Sequence, residues 1–241
     1  MRMPDKTPRN RFTSRSQANA RFVAQRGLLK GVVWGMMRVT VVDKQKLKGV
    51  KRPFVAVANH SSHLDAPLIM GALPRPLARY LAAGAAGDYF FDVWWRRGLT
   101  ALFFNAFPVD RSGSNPRNIN AKMLLQHDVP VLVFPEGTRS KDGTLGHFKP
   151  GAAALATATG VPIIPIAIIG AHQAHPRGSK WPKTGLPLGV VFGEPMRAAE
   201  KENPTEFMTR VRAAIADLLE QHSARILGTE TLGNHSRGET S

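Results

Sequence analysis

Two short runs of the 241-residue chain hold side chains whose types and spacing suit proton transfer and anion recognition. The first is Asn59-His60-Ser61-Ser62-His63-Leu64-Asp65. It follows the apolar stretch 54–58, which reads as a buried strand, so His60 stands at a strand's carboxyl end, where α/β proteins build their sites. Asp65 falls at the start of the next helix. From there its carboxylate can fold back onto the imidazole, fixing the tautomer and stabilising the protonated ring. Such a pair is a general base without its own nucleophile, and the hydroxyl must come from the substrate. Other readings use the same residues. His60, His63 and Asp65 could ligate a metal, although the spacing is not that of H-E-x-x-H. Ser61 or Ser62 could be a nucleophile, but the chain contains no G-x-S-x-G elbow. A His and an Asp at this spacing also describe an ordinary polar loop.

The second run is Phe134-Pro135-Glu136-Gly137-Thr138-Arg139-Ser140, again directly after an apolar stretch, 129–133. Glu136 can accept hydrogen bonds from glycerol hydroxyls, and Arg139 offers a planar fork that matches phosphate oxygens. Gly137 lets the backbone approach a ligand closely. Arg111, in Phe107-Pro108-Val109-Asp110-Arg111, is a further candidate phosphate cation, with Asp110 positioned to orient it. A charged turn bearing a surface Glu and Arg is the plainer account of the same residues.

Positioning these groups requires alternating strands and helices. Strands are expected at 54–58, 78–82, 129–134, 163–169 and 188–192, and helices at 65–72, 88–104, 116–127 and 150–159. A last helix opens with Asn203 as N-cap, Pro204 at its first position and Glu206 at its third, and would bury Phe207, Val211, Ile215 and Leu218. The pattern predicts an α/β fold: one domain, a mostly parallel sheet flanked by helices. The uncharged run 150–176 is long enough to span a membrane, but Gly160, Pro162 and Pro165 divide it into a helix and a buried strand. No transmembrane helix is expected.

Charge is unevenly placed. The chain holds 33 Lys and Arg against 17 Asp and Glu, and residues 1–52 hold 14 of those bases against two acids. The remainder is close to balance, with 19 against 15. Residues 1–16 read as a disordered basic tail, 17–42 as an amphipathic basic helix with Arg21, Arg26, Lys30 and Arg38 as its cations, and 228–241 as a disordered polar tail. Gly27, Gly31 and Gly35 would let a helix or bilayer approach closely, or would simply weaken a surface helix. Such an arm suits anionic lipid, an acidic carrier protein or nucleic acid. No secretory cleavage pattern follows it. Cysteine is absent, which removes disulfides, thiolate metal sites and a cysteine nucleophile.

Taken together, the runs resemble the glycerolipid acyltransferase family, best known from 1-acylglycerol-3-phosphate acyltransferases. Its four ordered blocks appear as N-H-x-S-x-x-D at 59–65, the block ending in Arg at 107–111, P-E-G-T-R-S within 134–140, and V-P-I-I-P at 161–165. The resemblance spans roughly residues 50–195. It implies that His60 is the base and Asp65 its orienting partner, with Arg111, Glu136, Gly137, Thr138 and Arg139 binding the acceptor. It further implies transfer of a fatty acyl group from acyl-CoA or acyl-carrier protein to the sn-2 hydroxyl of 1-acyl-glycerol 3-phosphate, giving phosphatidate. No metal or other cofactor is expected.

The implied partners are a lysophospholipid, an acyl thioester and an anionic membrane surface, the protein lying as a peripheral or monotopic enzyme on the cytoplasmic face. The aromatics of 89–107, interleaved with Arg96 and Arg97, suit an interfacial helix or acyl-chain channel. Another lysophospholipid or polar lipid as acceptor is the nearest alternative. A nucleic-acid-binding protein is a remote one, since a basic binding module would not leave the body so close to charge balance.

Overall fold

The computed structural model of the chain describes residues 12–86, 105, 107–109 and 121–229. Seven strands form one sheet: β1 (Arg38–Val42), β2 (Val55–Ala58), β3 (Ala82–Ala86), β4 (Phe107–Val109), β5 (Val131–Val133), β6 (Ile163–Ile169) and β7 (Pro187–Phe192). Their order is β1-β7-β6-β2-β5-β3-β4. The run from β6 to β4 is parallel throughout; β7 reverses against β6, and β1 pairs parallel with β7. This is the expected single α/β domain with a mostly parallel sheet.

Successive side chains of each strand enter opposite layers. Val55, Val57, Ile163, Ala167 and Ile169 face one core with α5 (Ala121–Gln126), α6 (Gly151–Thr159) and α8 (Pro204–Leu227). Ala56, Ala58, Ile164, Ile166 and Ile168 face the other, filled by α2 (Lys30–Met36), α3 (Asp65–Ala72) and α4 (Arg75–Ala78). Every residue of β6 is buried, as two covered faces require. Pro165 is tolerated in this central strand because the ladder to β7 begins at Ile166, paired with Phe192. Its carbonyl still accepts from the Gly193 amide at 2.9 Å.

The start of α8 is as expected. Asn203 Oδ1 accepts from the amides of Thr205 and Glu206, Glu206 returns a bond to the Asn203 amide, and Phe207, Val211, Ile215 and Leu218 are buried. The N-terminal region differs from expectation. The helix predicted over 17–42 starts earlier, as α1 (Arg15–Val23) behind a Ser14 cap, widens into a π-helical turn at Ala24–Leu29, and stops with α2 at Met36. Residues 38–42 form β1 instead, because the run Val39-Thr40-Val41-Val42 is β-branched throughout and pairs with β7. The tail predicted over 1–16 is packed from residue 12 onward: Phe12 lies fully buried among the core residues.

Nor do the cations form one outward stripe. Arg21 is buried and donates to the Asn105 side chain, Arg26 donates to the Leu73 carbonyl, and Arg38 belongs to β1. The strand predicted at 78–82 begins at Ala82; the short helix α4, with Pro74 as its N-cap and Pro76 in its first turn, takes the chain to Ala78. The aromatic stretch 88–104 lies outside the described residues. No helix among the described residues is long and apolar enough to cross a membrane.

Among the described residues, nothing stands within 4 Å of a Cβ placed on Gly27, Gly31 or Gly35. Close approach occurs at Gly71 of α3, where a Cβ would stand 2.5 Å from the Trp34 ring of α2. Gly71→Ala is therefore expected to push α2 away from α3 and lower unfolding free energy by about 1–3 kcal/mol. Denaturant unfolding checks this, and Trp34→Leu in the same chain should recover part of the loss by shrinking the obstructing ring.

Candidate active site

β2 and β5 are neighbours and parallel, so the two motifs that follow them emerge side by side at one end of the sheet. Asn59 secures the first. Its side-chain amide donates to the Ile168 carbonyl at 2.9 Å, and its Oδ1 accepts from the Ile168 amide at 2.8 Å. The side chain thus imitates one more peptide pair between β2 and β6, holding the chain in line until His60.

Asp65 then draws the chain into a tight turn. Its Oδ2 accepts at 2.8 Å from each of the His60 Nδ1, the Ser61 amide and the Ser62 amide. The carboxylate is fully buried at the first residue of α3, whereas the His60 side chain keeps 22% of its surface exposed. With Asp65 ionised, Nδ1 carries the proton and Nε2 is left as the basic nitrogen. Phe134, at the end of β5, stacks against the imidazole with centroids 4.1 Å apart and planes 18° from parallel. The ring is held on its edge by a carboxylate and on its face by an aromatic.

Glu136 braces the same residue from the β5 side. Its Oε1 accepts from the His60 amide at 2.8 Å, and its Oε2 accepts from the Gly146 amide at 3.2 Å. A Cβ on Gly146 would come within 2.8 Å of that oxygen, so the contact needs glycine. Burial pushes the Glu136 carboxyl above its ordinary value, and the two backbone donors oppose that shift. The sequence suggests Glu136 as an acceptor for substrate hydroxyls; in the folded chain both of its oxygens already receive backbone amides. Ser140 adds a further tie, its amide donating to the His60 carbonyl at 2.8 Å.

Gly137 turns the chain in the left-handed region, φ +75°, where other residues are strained. Beyond the turn opens a cleft of about 340 Å³, lined by Thr138 and Arg139 together with Lys141, Lys149 and Arg177. Glu136 lines it too, and so joins it to His60. Anion binding is the chemistry this lining favours. His63 is kept out of the cationic set: desolvation first, then the charges of Arg139, His175 and His60, hold its imidazole at about 4, so it is neutral near pH 7. Its ring lies 5.8 Å from that of His175, whose carbonyl accepts from Ser62 Oγ at 3.0 Å.

The structure therefore brings together His60, Asp65, Glu136, Gly137, Thr138 and Arg139 of the sequence candidates. Arg111 and Asp110 lie outside the described residues. Sequence reasoning missed Asn59 as a clamp, Phe134 as a stacking platform, and Lys141, Lys149 and Arg177 as cleft cations. Asn59 and Phe134 open the two motif runs and Lys141 directly follows the second, whereas Arg177 comes from a distant loop.

An acyltransferase family model, described simply as Acyltransferase, matches residues 38–169, from the start of β1 to the end of β6. A chloroplastic 1-acyl-sn-glycerol-3-phosphate acyltransferase of Arabidopsis thaliana is 39% identical over 175 residues, covering 70% of this chain and 47% of that protein. A 1-acyl-sn-glycerol-3-phosphate acyltransferase of Pseudomonas aeruginosa is 28% identical over 225 residues, 86% of this chain and 80% of that one. The chain spans about half the length of the plant and algal relatives it matches. Among solved structures, the 1-acyl-sn-glycerophosphate (LPA) acyltransferase PlsC from Thermotoga maritima superposes with a TM-score of 0.68 at 27% identity, over 89% of this chain and 86% of that one. Since the matched segment carries both motifs and more than half of the chain, the protein belongs to the Acyltransferase family.

Proposed function

We propose that the chain transfers a fatty acyl group from acyl-CoA or acyl-carrier protein to the sn-2 hydroxyl of 1-acyl-glycerol 3-phosphate, yielding phosphatidate at the cytoplasmic surface of a membrane. The observation that carries this reading is the His60 Nδ1 to Asp65 Oδ2 contact of 2.8 Å beside a cleft whose lining includes Arg139, Lys149 and Arg177. A base and an anion site adjoin, joined through Glu136. His60 Nε2 takes the proton of the acceptor hydroxyl as that oxygen attacks the thioester carbonyl. The tetrahedral intermediate collapses, the carbon–sulfur bond breaks, and the proton passes from His60 to the leaving thiolate. Asp65 stabilises the imidazolium between these steps. Arg139, with Arg111, anchors the acceptor phosphate, which turns an encounter of two lipids into a reaction of aligned groups. The basic N-terminal arm supports docking on anionic lipid.

His60→Ala is expected to lower turnover by roughly three orders of magnitude with the fold intact, and Asp65→Asn to cost heavily as well. Thiol release from the acyl thioester measures both; a folded His60→Ala protein retaining more than about a tenth of wild-type activity would place the base elsewhere.

Arg139→Ala and Arg111→Ala should each raise the KM for a phosphate-bearing acceptor far more than that for the thioester, by the equivalent of about 1.5–3 kcal/mol. Steady-state titration of each substrate in turn distinguishes this from a structural role, which would damage both equally.

Acceptor choice is the finer part of the proposal. Lysophosphatidate should be used in preference to lysophosphatidylcholine, lysophosphatidylethanolamine and glycerol 3-phosphate, because a terminal dianionic phosphate matches clustered guanidinium and ammonium groups better than a zwitterionic diester. A thiol-release assay across these acceptors decides it. Preference for a zwitterionic lysolipid would sink the lysophosphatidate assignment while sparing acyl transfer, and His60-dependent release that ignores every acceptor would indicate a thioesterase.

A further inference from the structure

Trp181 is the most exposed large apolar side chain among the described residues, with 75% of its surface open. It sits in the connection between α7 (Ala171–Ala174) and β7, where Arg177, Lys180 and Lys183 are also exposed. No acidic residue occurs anywhere from Gly143 to Gly193. The connection is a built turn. Ser179 donates from its amide to the Pro176 carbonyl at 3.1 Å and from Oγ to the Trp181 carbonyl at 2.9 Å, and the Lys183 amide donates to the Ala174 carbonyl at 2.8 Å. A lone exposed apolar side chain is ordinary on a protein surface; what sets this one apart is an ordered turn that carries three exposed cations beside it.

Both ends of this loop are tied to places that matter. At its start, His175 accepts from Ser62 within the His60–Asp65 turn, and Arg177 lines the cationic cleft. At its end, the Gly185 amide donates to the Met36 carbonyl at 2.7 Å, where α2 finishes, and Arg38 Nε donates to the Gly185 carbonyl at 3.0 Å. The loop thus bridges the mouth of the site and the basic N-terminal helices, whose Val32 is also exposed. An exposed indole flanked by cations, on a stretch of sequence that carries no acid, is complementary to the headgroup layer of an anionic bilayer. There the ring lies at the polar–apolar boundary and the ammonium groups meet phosphates.

We infer that the loop 175–186 is a second membrane contact, inserting Trp181 at the lipid interface with Lys180 and Lys183 on anionic headgroups, and so holding the cleft mouth against the surface that supplies the acceptor. This rests on the reading of the protein as acting at a membrane.

The test is co-sedimentation of the full chain with vesicles of phosphatidylglycerol and phosphatidylcholine, compared with phosphatidylcholine alone, for wild type, Trp181→Ala and the double variant Lys180→Glu with Lys183→Glu. Each variant should bind the anionic vesicles roughly tenfold more weakly. Brominated lipid should quench the fluorescence of wild type more than that of Trp181→Phe, and turnover of a water-soluble short-chain acceptor should be unchanged. If wild type binds and both variants bind equally well, the loop inference is overturned while membrane docking stands. If wild type shows no charge-dependent binding, both fail. Variants that bind vesicles normally but lose turnover only with an acyl-carrier-protein donor would reassign the loop to an acidic protein partner and overturn the lipid contact.

Discussion

The acceptance of three N–H groups by one buried carboxylate oxygen, Asp65 Oδ2, is the constraint around which the site is arranged. A carboxylate without water around it is costly unless its charge is met by hydrogen bonds. Here the Ser61 and Ser62 amides and the His60 imidazole meet it together, so the turn, the start of α3 and the ring orientation are settled by one group. The start of α3 also places the partial positive end of the helix beside that charge. Oδ1 of the same carboxylate is buried with no hydrogen-bond partner among the described residues, so the three N–H groups on Oδ2 carry its compensation and the loss of any of them leaves the charge further underbonded.

The second carboxylate does for the strand crossing what the first does for the turn. Glu136 reaches from the end of β5 to the His60 amide and to Gly146, so the two motifs are joined by backbone contacts as well as by adjacency in the sheet. Phe134 completes the linkage by stacking on the imidazole. Because burial favours the neutral form of Glu136, this brace is the more acid-sensitive of its contacts: protonation would remove the charge that strengthens both amide bonds. The two carboxylates have separable duties, one orienting a ring and one fixing the peptide that bears it.

Much of this was legible in the sequence where the relevant physics is local. A His at a strand end with an Asp at the following helix start is a short-range geometry, and it forms as read. So does the Asn203 capping box, and so do the strand limits of β6, whose unbroken apolar run has no other use than burial on both faces. Reading failed where a partner distant in sequence decides. Arg21 looks like a surface cation until Asn105, 84 residues away, is placed beside it. Residues 38–42 look like helix by spacing until β7 offers a pairing edge that suits Val39 and Val41 better than a helical surface would. Phe12 lies in a stretch whose composition reads as disordered, and one aromatic finding the core outweighs it. Asn59 is the subtlest case: its neighbours in the motif suggest chemistry, while its side chain is a structural splice onto Ile168.

The cleft lining joins Arg139, Lys141, Lys149 and Arg177 with one histidine, His147, while His63 is not part of it. His63, close enough to Arg139 to feel its charge, is held neutral first by desolvation and then by the charges of Arg139, His175 and His60. Had it titrated at its usual value, it would have placed a second, pH-dependent positive charge close to His60 and made the imidazole a poorer base in its protonating range. In any contact with a phosphate monoester the ligand itself changes charge around neutrality, its second ionisation falling at about pH 6. On the acyl-transfer reading, proton transfer and recognition of the acceptor fall to different groups: the His60 imidazole exchanges a proton with the substrate, and the cleft cations hold the phosphate.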